Sequence, residues 1–108
     1  MADPQLRAGA RYADEKLPAW TAQVHAPHDE ALERAFTSPG REGMPPISVG
    51  PNEGRTLQLL LRLAGVRRVV EIGTLATIWM ARAPPADGHL WTLERDLRHA
   101  EVARRNLS

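Results

Sequence analysis

The 108-residue chain contains no cysteine. Disulfides, thiolate metal centres and cysteine nucleophiles are excluded with it. Aromatic residues make up only 5% of the chain, and no apolar run approaches the ~18 residues needed to cross a bilayer. The start, Met-Ala-Asp-Pro-Gln-Leu-Arg, lacks the basic-then-apolar pattern of a signal peptide. These absences make a cytoplasmic protein the expectation, with no membrane partner. Charge of one sign is lacking too. Fourteen basic residues face thirteen acidic ones, a net charge of +1, so there is no electrostatic case for nucleic acid or an anionic surface. Residues 1–50 hold 5 basic and 7 acidic groups and residues 51–108 hold 9 and 6, a tilt too small to name a partner. Finally, the G-x-G-x-x-G fingerprint is absent, which weakens any reading as a nicotinamide-dependent oxidoreductase.

What is present is the composition of a soluble globular chain, 43% hydrophobic and 25% charged, and its length allows one domain. Residues 5–16 suggest a weak helix limited by Pro18, and residues 17–28 read as a loop. Asp29 is placed to cap a helix through about Phe36, which Ser38-Pro39-Gly40 should stop, leaving residues 37–50 as an irregular linker. Beyond Gly50 the pattern sharpens. Pro51 suits a first helical turn, Leu57, Leu60, Leu61 and Ala64 share a face, and Gly65 is a C-terminal stop. Val66–Ile72 reads as a strand, 75–83 as a short helix ended by Pro84-Pro85, and 89–94 as a second strand. Asp96 then caps a helix with Leu97, Ala100, Ala103 and Leu107 on one face. The order is αβαβα. A strand–helix–strand link of this length is a right-handed parallel crossover. Two parallel strands with open edges read as the front part of a larger doubly wound α/β domain.

Three residues on these strands carry the chemistry. Gly73 ends the first strand, where it is either an ordinary turn glycine or a bend that lets a ligand approach the main chain. Glu94, 21 residues later at the end of the second strand, is either a solvated residue closing that strand or, in the reading the Gly73 context favours, a member of the same crevice whose oxygens accept both hydroxyls of a ribose. Glu71 lies inside the first strand, where a carboxylate must be paired or hydrogen-bonded. Either a ligand ammonium or backbone N–H groups of a neighbouring loop would serve, and the two can coexist. His25, His28, His89 and His99 lack metal-ligand spacing and read as exposed histidines. Trp79 and Trp91 read as packing residues. No Ser/His/Asp set or carboxylate pair can be argued, so no catalytic residue is assigned.

The segments Ile47-Ser48-Val49-Gly50-Pro51-Asn52-Glu53-Gly54, Val69-Val70-Glu71-Ile72-Gly73-Thr74, Leu93-Glu94 and Ala100–Leu107 together resemble the cation-dependent O-methyltransferases, the catechol and caffeoyl-coenzyme A O-methyltransferase family. The resemblance runs from about Asp29 to Ser108. It implies a Rossmann-like methyltransferase fold, with residues 1–46 as an N-terminal helical segment and linker and residues 47–108 as the first part of the cofactor domain. It also implies S-adenosylmethionine as cofactor, a hydroxylated small-molecule acceptor, and Mg²⁺ whose ligands lie beyond the position of Ser108. By the same resemblance Val49 touches the methionine part of the cofactor, Glu71, Gly73 and Thr74 line that end, and Glu94 holds the ribose.

Two departures from the family pattern stand out. Family members continue E-I-G-T-x-x-G-Y-S, whereas here Gly73-Thr74-Leu75-Ala76 runs straight into Thr77-Ile78-Trp79. About three residues are absent, and Ala76 stands where the resemblance puts a cofactor-binding serine. One lost hydrogen bond to a charged group costs about 1.5–3 kcal/mol. The second departure is length, since the family's metal-binding and catalytic groups have no counterpart in residues 1–108. Two expectations follow. One is the incomplete and inactive N-terminal half of an S-adenosylmethionine-dependent O-methyltransferase. The other is a non-catalytic remnant whose open strand edges invite homodimerisation or association with another chain.

Overall fold

A computed structural model describes residue 14 and residues 16–45, 47–74 and 76–108. The helix expected over residues 5–16 lies almost wholly outside them. The first described element is helix α1, Lys16–His25, where a loop was expected. Pro18 is tolerated because it falls in the first turn, where a missing N–H leaves no intrahelical bond unmade.

Helix α2, Glu30–Arg41, begins where expected, with the Asp29 carboxylate accepting the Leu32 N–H at 3.0 Å. It does not stop at Ser38-Pro39-Gly40. Pro39 cannot donate to the Ala35 carbonyl, but the Ser38 hydroxyl does so instead at 3.1 Å. The helix therefore passes the proline and closes only after Arg41, where Met44 N–H reaches the Pro39 carbonyl at 2.8 Å. The irregular link is correspondingly shorter than residues 37–50.

Helix α3, Pro51–Leu63, starts behind Gly50, whose N–H is accepted by Glu53 at 2.9 Å. It ends as expected at Gly65, in the left-handed region at φ 62°, with Val66 N–H on the Leu61 carbonyl at 3.2 Å. Its buried face is not the expected leucine stripe. Gly54 and Gln58 are buried, while Leu57 and Leu60 are exposed.

Strand β1, Arg68–Ile72, crosses through helix α4, Thr77–Ala81, to strand β2, His89–Leu93. The strands are parallel, as the crossover requires, with Val69 opposite Leu90, Glu71 opposite Thr92 and Ile72 opposite Leu93. Helix α5, Leu97–Leu107, is capped by Asp96, which accepts the Arg98 and His99 N–H groups at 2.9 and 3.2 Å. Its buried side is Val102 with half-buried His99, Ala103 and Asn106, whereas the expected Leu97 and Leu107 are exposed. Asn106 donates to the Ser38 hydroxyl at 2.8 Å and Arg105 pairs with Glu42 at 2.5 Å, so α5 is tied to α2 and the turn after it. The core gathers Ala26, Leu32 and Trp79, with Ile78 packed against them. Among the described residues, no helix is long and apolar enough to cross a membrane.

The two cap carboxylates give the fold an acid dependence of known sign. The Leu32 N–H, helped by the Arg82 guanidinium, holds Asp29 below the usual carboxylate range, and the His99 and Arg98 N–H groups do the same for Asp96. A depressed folded value means the stabilisation is full above the unfolded value of about 3.9 and is lost as pH falls through the folded one. Urea midpoints should therefore fall on acidification below about pH 4. Asp96→Asn caps without titrating, so it should remove α5's share of that fall; an unchanged acid response would contradict the assignment.

Candidate functional site

The site forms where the two strands end. Gly73 N–H donates to the Leu93 carbonyl at 2.9 Å, so β1 stays tied to β2 up to the bend. There the chain turns through two left-handed residues, Gly73 at φ 101° and Thr74 at φ 42°. The first is free for glycine. The second is strained for a β-branched residue, and such strain persists only where surroundings hold it. Here the Thr74 hydroxyl meets the Thr92 hydroxyl of the neighbouring strand at 2.9 Å.

Glu71 closes the turn from below. Its side chain is buried, Oε1 accepts the Ala76 N–H at 2.8 Å, and Oε2 accepts the Thr77 hydroxyl. Ala76 occupies the cap position of α4 without a capping side chain of its own. The strand carboxylate therefore serves as the cap. Of the two partners the sequence left open for Glu71, the backbone one is present.

Val49, Gly73, Thr74 and Glu94 border one cavity of about 100 Å³, together with His28 and Ala76. Glu71 is not on its wall; it lies behind the turn. Gly73, Thr74 and Glu94 also border a more open hollow of about 550 Å³ beside Thr92 and Ala103. Glu94 is fixed by its own chain, with Oε1 accepting the Asp96 N–H at 2.9 Å. The enclosed space is below the ~300–1,000 Å³ of pockets that engulf a small molecule. The cavity and the hollow share Gly73, Thr74 and Glu94 as a common rim.

Sequence reasoning missed His28. Rather than being exposed, its ring packs between Phe36 and Trp79, at centroid distances of 5.3 and 6.0 Å, with Nδ1 3.0 Å from Glu33 Oε2. No spacing signal points to this, because its partners come from two helices. Trp79 packs as expected, whereas Trp91 lies exposed and stacks on His89 at 5.7 Å. Gly54 was also missed as a packing residue. A Cβ there would sit 2.3 Å from the Trp79 ring. Among the described residues, no three His, Cys, Asp or Glu side chains gather as metal ligands do.

The family is decided by sequence comparison: the sequence model of the O-methyltransferase family matches residues 22–108. The chain belongs to that family. A catechol O-methyltransferase of Niastella koreensis is 52% identical over 86% of this chain and 43% of its own length. One from Mycobacterium tuberculosis is 44% identical over 73% of this chain and 37% of its own. Among solved structures, the O-methyltransferase TomG from Streptomyces achromogenes, in complex with S-adenosylmethionine, superposes with a TM-score of 0.80 at 36% identity, over 85% of this chain and 43% of its own. An O-methyltransferase from Bacillus cereus in complex with S-adenosylhomocysteine gives 0.80 at 35% identity over the same shares. The fold is thus the Rossmann-like methyltransferase fold over the part present, and the chain spans less than half the length of these relatives. Within that fold, the Glu71 clasp on Ala76 and Thr77 ties the turn after β1 to the start of α4.

Proposed function

We propose that this chain forms the S-adenosylmethionine-holding part of an O-methyltransferase that methylates a phenolic or similar hydroxyl. The observation that carries the reading is the convergence of Gly73, Thr74 and Glu94, at the carboxyl ends of adjacent parallel strands, on one rim with Val49. Ligands of open α/β sheets lie at that edge. When bound, S-adenosylmethionine supplies a sulfonium methyl for in-line transfer to the acceptor oxygen. Glu94 accepts the ribose hydroxyls, Gly73 admits the ligand against the main chain, and Val49 packs on the methionine end. Glu71 acts from behind the wall, positioning the turn through the Ala76 N–H and the Thr77 hydroxyl. A divalent cation would lower the acceptor's pKa, but no residue described here is assigned to hold it, and no catalytic residue is assigned either.

Titration calorimetry with S-adenosylmethionine tests the site. Glu94→Ala should weaken binding about 10- to 150-fold, the worth of hydrogen bonds to a charged acceptor; unchanged affinity would remove Glu94 from the site. Mixed with S-adenosylmethionine, catechol and Mg²⁺, the 108-residue chain alone should show no methyl transfer, and clear turnover would contradict the assignment of the chemistry to groups outside it. The short turn and small enclosed cavity favour a second reading, a non-catalytic remnant of the fold. No heat of binding, with dimers on sizing, would favour that one.

A further inference from the structure

We infer that Thr92, on β2, is a positioning residue for the site: its hydroxyl holds Thr74 in the left-handed conformation that sets the turn after β1. The inference rests on the cofactor reading for its effect on affinity, and on geometry alone for its effect on the turn.

Register places Thr92 opposite Glu71, and partners in register share a face of the sheet. From that face the two side chains hold the turn at separate points. Glu71 accepts the Ala76 N–H at 2.8 Å and the Thr77 hydroxyl, at the start of α4. Thr92 reaches Thr74, hydroxyl to hydroxyl at 2.9 Å. One residue earlier, the Gly73 N–H is tied to the Leu93 carbonyl at 2.9 Å. Thr74 therefore stands between two main-chain anchors, and it carries the strain of the turn. Gly73 is at ease at φ 101°, whereas φ 42° is a region that a β-branched residue rarely occupies. Such a conformation reverts to an ordinary one unless a specific contact opposes the change. The Thr92 hydroxyl is that contact.

The contact matters because of where Thr74 lies. With Gly73 and Glu94 it borders both the enclosed cavity and the open hollow, so its backbone angle decides where the main chain of the shared rim meets a ligand. Thr92 borders the hollow but not the enclosed cavity, and it acts on that cavity through Thr74. A valine at position 92 would keep the β-branched shape that suits a strand and lose only the hydroxyl. Thr74 would then be free to leave its strained angle. A turn that holds the binding-competent form for about a tenth of the time binds about tenfold more weakly.

The test compares the unsubstituted chain with Thr92→Val, Thr92→Ser, Thr74→Gly and the Thr92→Val/Thr74→Gly double variant, each checked for folding by circular dichroism. Three-bond NMR couplings across the Thr74 N–Cα bond read φ, and titration calorimetry reads affinity for S-adenosylhomocysteine. Thr92→Val should take Thr74 out of the left-handed region and weaken binding about tenfold, and Thr92→Ser, which keeps a hydroxyl, should restore both. Glycine needs no support at position 74. Adding Thr92→Val to Thr74→Gly should therefore change affinity by less than about twofold, whatever Thr74→Gly does by itself. An equal loss in both backgrounds would mean that Thr92 touches the ligand directly, and would overturn the positioning role. Thr74→Val removes the same bond from the other side and takes the place of Thr92→Val if that variant unfolds. A Thr74 φ that stays positive without the bond, or a lowered unfolding midpoint with unchanged affinity, would overturn the proposal as well. If the unsubstituted chain binds no ligand, the cofactor reading fails by itself, and the couplings alone decide the role of Thr92.

Discussion

Trp79→Ala is expected to destabilise the chain by about 3–5 kcal/mol, the usual cost of emptying a buried indole site. Natural domains hold only about 5–15 kcal/mol in all, so the loss is a large share of the total and should lower the urea midpoint sharply. Trp79 is buried in the small core with Ala26 and Leu32, its ring lies over Gly54 of α3, and it borders His28. The opposite error has the same target. Gly54→Ala would place a methyl 2.3–2.7 Å from Cδ1, Nε1 and Cγ of that ring, and the rigid indole has no flexible end to move aside. Overpacking of this kind costs about 1–3 kcal/mol. The two losses should not add. In the double variant the alanine methyl enters the space the indole has left, so the pair should be less destabilising than the sum of the singles. Urea unfolding of the four proteins measures this, and strict additivity would show that α3 and α4 do not meet through this contact.

Glu71→Ala is expected to have the second large effect, about 2–5 kcal/mol. It removes the acceptor of two buried donors, the Ala76 N–H and the Thr77 hydroxyl, and each donor left unsatisfied costs about 1–3 kcal/mol. Glu71→Gln should be far milder. Its carbonyl can still accept the Ala76 N–H, and its amide can donate to the Thr77 oxygen once that hydroxyl turns round. Thermal unfolding separates the two. A Gln variant as unstable as the Ala variant would mean that the charge, rather than the hydrogen bonding, holds the turn.

The legible parts of this fold are those set by local chemistry. Asp29 and Asp96 announce their helices because a cap needs only its own next turn. Gly65 announces an end because few other residues adopt its backbone angles. The two apolar runs and the helix between them dictate a parallel crossover, and the crossover brings Gly73 and Glu94 to one rim. What escaped depended on partners distant in sequence or on local compensation. Pro39 looked like a stop because the Ser38 hydroxyl that satisfies the Ala35 carbonyl is invisible to a propensity argument. The leucine stripe of α3 outweighed Gly54, although smallness rather than hydrophobicity decided which face could approach Trp79. Glu71 was recognisable as a buried acid in need of partners, but which partners depended on how the turn after β1 closes. His28 sits at the cavity only because α2 and α4 enclose it.

The account centres on one rim shared by Val49, Gly73, Thr74 and Glu94. Its most direct test is an amide map of the isotope-labelled chain titrated with S-adenosylhomocysteine. Saturable shifts should concentrate at Val49, Gly73, Thr74, Glu94 and Arg95 and leave α1 and the outer face of β1 unmoved. Shifts centred elsewhere, or none at millimolar ligand, would contradict it.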